Sequence, residues 1–199
     1  MADKITVRLN GETQFQPHPE GQFEARCVDV IDLGLRWKQF KGNPGKAKPT
    51  VALVFATGER NEAGALHDVS EEFTVSVHQD ANLRKFLEAW RGKKYEDKQL
   101  QQDGVPLDKL EGQSIYLSIA HKVSAAGRTF AYISTAMPLP KGMAAPDVTG
   151  WQRPAFWAER KKAYATEVAQ HLGAPATDDP YPDFEQVPPG MDDETDLPF

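Results

Sequence analysis

Between Gly34 and Thr50 the chain reads GLRWKQFKGNPGKAKPT, with cations at Arg36, Lys38, Lys41, Lys46 and Lys48, rings at Trp37 and Phe40, and no acid. Positive side chains attract phosphate oxygens and exposed rings stack on bases, so this mixture suits a nucleic-acid strand gripped without base-specific readout. The structural alternative is a solvated hairpin tip whose Trp37 folds back on the body, yet so many cations without a compensating carboxylate are hard to place in a purely structural loop. A second surface comes from two later runs. Tyr116, Ser118 and Lys122 alternate with Ile115, Leu117 and Ile119, while Arg128, Phe130 and Tyr132 share one side of the next run. Phe130 and Tyr132 fit a barrel interior equally well. Arg26, on an early strand-like run, and Lys122 are the candidates for phosphate contact, and Trp90 is expected in the core.

Other chemistries find less support. GNPGKAKPT invites a phosphate-loop reading, but that pattern needs glycine where Phe40 stands and Ser or Thr where Ala47 stands. His18, His67, His78, His121 and His171 are scattered, without the paired spacing of a metal-binding helix, so no metal and no cofactor is expected. The tail acids lack the spaced ligands and glycine turn of a calcium loop. No nucleophile, base and orienting partner suggest themselves, so no catalytic residue is assigned and the protein is not expected to be an enzyme. A metal-dependent nuclease using carboxylates such as Asp29, Asp32 and Asp68 stays open as the reading from another class. Cys27 is the only cysteine, which excludes an internal disulfide and implies a reduced thiol within a strand.

The elements that must carry these residues read in order. FEARCVDVIDLGL (Phe23 to Leu35), TVALVFAT and EEFTVSVH are strand-like, the last through alternation of Phe73, Val75 and Val77. DANLRKFLEAWRG spaces Leu83, Phe86, Leu87 and Trp90 as a helix face, with Asp80 placed to cap its start and Gly92 its end. SIYLSIAHKV and RTFAYISTAM, joined by SAAG, read as a hairpin. Strand, strand, strand, helix, strand, strand is the order of the OB-fold, a five-stranded Greek-key barrel, so a mainly β protein with one or two helices is expected. Pro154 then opens a helix to Leu172, with Trp157, Tyr164, Val168 and Leu172 near one face and Arg160, Lys161 and Lys162 between them. There is no internal repeat.

The formal net charge of −6 hides an uneven distribution. Residues 1–142 hold 19 Lys+Arg against 18 Asp+Glu, whereas residues 143–199 hold 4 against 11. From Ala163 onward there is no Lys or Arg, and six prolines punctuate residues 173–199. The expected organisation is a nucleic-acid-binding barrel at 1–142, a linker and helix at 143–172, and a disordered acidic tail at 173–199. The first twenty residues lack a signal-peptide pattern, and VALVFA (Val51 to Ala56) is too short to span a bilayer, so a cytoplasmic location is expected.

The tail ends DDETDLPF. A purely solvating tail gains nothing from an aromatic terminus, so the alternative is a docking peptide, with Phe199 in an apolar pocket and the acids on its basic rim. This terminus resembles the acidic tip of bacterial single-stranded DNA-binding proteins, in which a run of Asp precedes an apolar residue, Pro and a final Phe. Asp192, Asp193, Glu194, Asp196, Leu197, Pro198 and Phe199 take those places, with Thr195 inside the acidic run and Leu where Ile is usual. The close match covers about the last eight residues; the rest resembles the family in strand order and in the basic, aromatic loop, more like divergent bacteriophage versions than the cellular protein.

The resemblance implies sequence-tolerant binding of single-stranded DNA in replication, recombination or repair, with partner enzymes recruited by the tip and a bacterial host cytoplasm if phage-encoded. Self-association is open, since cellular members are typically tetrameric but no motif here carries that assembly over. A single-stranded RNA binder or a strand-annealing accessory protein would use the same groove.

Overall fold

The computed structural model describes residues 16–39, 43–62, 64–125 and 127–173. Its backbone is mainly β, with strands β1 (Gly21–Lys38), β2 (Lys46–Arg60), β3 (Leu66–Thr74), β4 (Ser114–Val123) and β5 (Thr129–Met137). Helices α1 (Asn82–Arg91) and α2 (Asp97–Asp103) and a 3₁₀ turn at Leu107–Leu110 lie between β3 and β4, and α3 (Phe156–Leu172) follows β5. All strand pairs are antiparallel, in the order β3-β2-β1-β4-β5. The two edge strands, β3 and β5, also contact each other, which curls the sheet into a barrel-like form.

Alternation builds the interior. Ala25 and Cys27 of β1, Val51, Leu53 and Phe55 of β2, Val69 and Phe73 of β3, and Ile115, Leu117 and Ile119 of β4 close on Leu83, Leu87 and Trp90 of α1. Each fully buried large apolar side chain stabilises by about 1.5–3 kcal/mol relative to exposure. Gly92 ends α1 at φ 66, a left-handed conformation that glycine adopts without strain. Cys27 lies within a strand, as expected; it is buried and donates weakly to the Asp29 carbonyl, and burial pushes its thiol up to about 12.

β2 is apolar on both sides. Its second face, Ala52 and Val54, joins Ile31 and Leu33 of β1, and this patch is sealed by Trp157 and Tyr164 of α3 with Trp151 beside them. β1 serves both clusters because register shifts at Cys27/Asp29 and Asp32/Gly34 re-aim it partway along.

Several expectations are corrected. The stretch from Gly34 to Thr50 is mostly strand: the ladder continues through Gly34↔Thr50 to Lys38↔Lys46, leaving a short connection. Pro49 is tolerated because it lies just past Thr50↔Thr74, the last β2–β3 pair, where β3 asks for no further N–H. Val75 and Val77 fall beyond the end of β3 and are 44% and 36% exposed, so only Phe73 of that alternating set packs inward. Ala81, not Asp80, is the residue before α1, and no side chain caps it. The expected one or two helices become three among the described residues, α2 having Leu100 as its one buried residue and therefore no periodicity to read. Of the four residues placed near one face of α3, Trp157, Tyr164 and Val168 are buried but Leu172 is 61% exposed. No described helix is long and apolar enough to cross a membrane.

Candidate nucleic-acid interface

The β1–β2 ladder places cations opposite one another. Arg36 pairs in register with Lys48 and Lys38 with Lys46, flanking Trp37↔Ala47. Antiparallel partners share a face, and like charges directly opposite destabilise a sheet. Arg36 is compensated: it donates to Glu72 Oε2 at 3.0 Å, and its guanidinium lies over the Tyr164 ring at 4.7 Å. None of Lys38, Lys46 and Lys48 makes an ion pair with a described carboxylate, and Lys46 and Lys48 are exposed. Burial, followed by the nearby Arg36 charge, holds the Lys38 ammonium below its ordinary pKa.

Trp37 does fold back. Its ring stacks on His171 of α3 with centroids 4.5 Å apart and planes 7° from parallel. Gly45 lies against the same indole, where a Cβ would fall 2.3 Å from Nε1, so only glycine permits this approach. Phe40 and Lys41 lie outside the described residues, as do Asp192, Asp193, Glu194, Asp196, Leu197, Pro198 and Phe199.

The β4–β5 hairpin presents a second patch. Register aligns Tyr116↔Met137, Ser118↔Thr135, Ala120↔Tyr132 and Lys122↔Phe130 on one side of the pair. Ala131, Ile133 and Ala136 pack inward instead, so Phe130, 40% exposed, and Tyr132 lie on the outer surface. The Lys122 ammonium sits 4.0 Å from the Tyr132 ring centroid. Tyr116 donates its hydroxyl to Gln22, and Arg128 is exposed just before β5, its backbone N–H donating to Ser124 Oγ. Arg26 points elsewhere, donating to the Gly112 carbonyl at 2.9 Å, and borders a cleft lined by residues 145–149.

Both patches reach β3. The charges of Lys38 and Glu72 interact on one side, and those of Lys122 and Glu71 on the other. Burial holds the Glu71 carboxyl above its ordinary range, with Lys122 opposing.

Sequence reasoning missed how α3 and the segment leading into it cover carboxylates of the β1–β3 surface. Asp29, Asp32, Asp68 and Glu72 are each engaged by the segment leading into α3 or by α3 itself. Asp29, 3% exposed, accepts two bonds from Arg153 at 2.5 and 2.6 Å. Asp68 accepts from Trp151 Nε1 at 2.8 Å, and Lys161 approaches Asp32 at 3.6 Å. Glu72 accepts from Tyr164 at 2.7 Å and faces Arg160 at 3.1 Å. The carboxylates of the nuclease reading, Asp29, Asp32 and Asp68, are thus each paired with α3 or the segment leading into it. No group of three or more His, Cys, Asp and Glu among the described residues is placed to hold a metal ion.

Comparison with known proteins finds no family model that matches the chain and no curated protein that matches it.

Proposed function

We propose that the protein binds single-stranded DNA with little sequence preference, on an OB-fold of Greek-key connectivity. The observation carrying this reading is the in-register Lys38↔Lys46 pair beside Trp37. A sheet that keeps adjacent cations opposed at a repulsive cost gains when an anion bridges them, and the neighbouring rings supply stacking surface. The strand path runs from the β1–β2 tip across β3 to the hairpin patch of Tyr116, Lys122, Arg128, Phe130 and Tyr132. Strand order, the contact between β3 and β5, and the helix between β3 and β4 support the OB-fold.

A role in replication, recombination or repair, with Asp192 to Phe199 docking partner enzymes, rests on the resemblance of the terminus. Pull-down from a bacterial lysate with and without Phe199 tests it: capture of the same proteins by both would remove the docking role.

The binding itself is tested by competition of labelled oligo-dT against equal lengths of duplex DNA and of RNA. Preference for oligo-dT is expected. Preference for duplex would overturn the proposal, preference for RNA would move it to single-stranded RNA, and magnesium-dependent cleavage of the probe would replace it with a nuclease.

A further inference from the structure

The end of α3 reproduces what a bound nucleotide would offer the tip. His171 lies flat on Trp37, at the separation and tilt of a stacked base. One turn earlier, Glu167 lies near enough for its charge to act on Lys38. Residues four apart share a helix face, so ring and carboxylate are presented together. The anchorage of α3 lies upstream: Trp157, Tyr164 and Val168 are its buried residues, and Arg160 and Lys161 make its ion pairs. Past Val168, His171 and Leu172 are exposed, and a helix end anchored so lightly can fray locally while the rest stays docked.

We propose that the end of α3 fills a one-nucleotide subsite at the β1–β2 tip, His171 standing in for a base on Trp37 and Glu167, one turn earlier, for its phosphate near Lys38. The inference rests on the single-strand reading of the tip. A strand that stacks on Trp37 must first lift His171 away, so occupancy of this subsite and docking of the end of α3 exclude each other.

The test uses the full chain, with oligo-dT and an abasic strand of equal length as probes. His171→Ala should bind oligo-dT about 2- to 10-fold more tightly, the worth of one aromatic pair, and the abasic strand no more tightly than the parent does. Glu167→Gln should tighten both probes alike at low salt, with the gain fading as salt is added. His171→Phe keeps a ring on Trp37 and should bind no more tightly than the parent, and adding Trp37→Ala to His171→Ala should erase the gain. Circular dichroism confirms that each variant is folded. The mimic is overturned if His171→Ala binds oligo-dT no better than the parent, or gains equally on the abasic strand. If neither parent nor any variant binds oligo-dT, the single-strand reading falls with it.

Discussion

Lys38 and Lys46 stand directly opposite each other across the β1–β2 ladder, with Lys48 two pairs further on and no described carboxylate in ion-pair contact with any of the three. Stability and ligand affinity are therefore set against each other at this pair. Lys46→Glu turns a repulsive pair into an attractive one and should stabilise the fold by roughly 0.2–1 kcal/mol at low salt. The same change should weaken oligo-dT binding. Urea midpoints and oligo-dT titrations, each at low and high salt, read both effects. A variant that is neither more stable nor weaker in binding would show these lysines to be ordinary solvated charges.

Glu71 places a carboxyl, held by burial above its ordinary pKa, on β3 beside the Lys122 charge of the hairpin patch. Glu71→Gln removes the negative charge that a phosphate passing over β3 would meet, and also its attraction for Lys122. Oligo-dT affinity should rise, most at low salt, with folding stability unchanged or slightly higher because a partly buried charge has gone. Weaker binding would place the strand away from β3.

His18 makes stability depend on pH. Its ring is 2% exposed, with Nδ1–H donating to the Pro19 carbonyl at 2.9 Å and Nε2 accepting from the Thr57 hydroxyl. Protonation would remove that acceptor. Burial is the chief cause of its lowered pKa; His67 and His121 add to the lowering, and the Pro19 carbonyl and Glu59 oppose it. Because the folded pKa lies below the unfolded 6.5, the unfolded chain binds the extra proton first. The contribution is complete above pH 6.5 and is lost as pH falls from there through the folded value. Urea midpoints at pH 7.5 and 5.5 should drop further for the parent than for His18→Gln, and equal drops would remove His18 as the cause.

Trp157 seals the second cluster from α3 at 2% exposure. Trp157→Ala should cost about 3–5 kcal/mol if α3 stays docked, and less if the helix lifts off instead. Limited proteolysis separates these outcomes, since only lift-off exposes the face of α3 on which Tyr164 and Val168 are buried. Loss of neither stability nor protease resistance would contradict the packing assigned to α3.

Strand order was legible because alternation in Ser114–Val123 and the dense apolar run of β2 are local signals. The long reach of β1 and β2 past Gly34 was not, since Gly34, Pro49 and the lysines all argue locally for a turn while the ladder that overrides them is a tertiary matter. Phe130 and Tyr132 could not be assigned a side until the register with β4 fixed their parity. The partners of Asp29 and Asp68, at Arg153 and Trp151, lie 124 and 83 residues away, a separation that no local spacing signals. Stacking of His171 on Trp37 was hidden for the same reason.

The two register shifts in β1 constrain how this chain can change its length. Upstream of the first Ala25 and Cys27 face the barrel interior; past it, Ile31 and Leu33 face α3. Because strand side chains alternate, losing one residue at the first shift would exchange the sides of everything from there to the hairpin tip. Isoleucine and leucine would exchange sides with their strand neighbours, and the Arg36 guanidinium would turn away from Glu72. Insertions and deletions should therefore be tolerated in the β2–β3 and β4–β5 connections yet be ruinous inside β1, which makes its spacing between Cys27 and Arg36 the part of the sequence least free to drift.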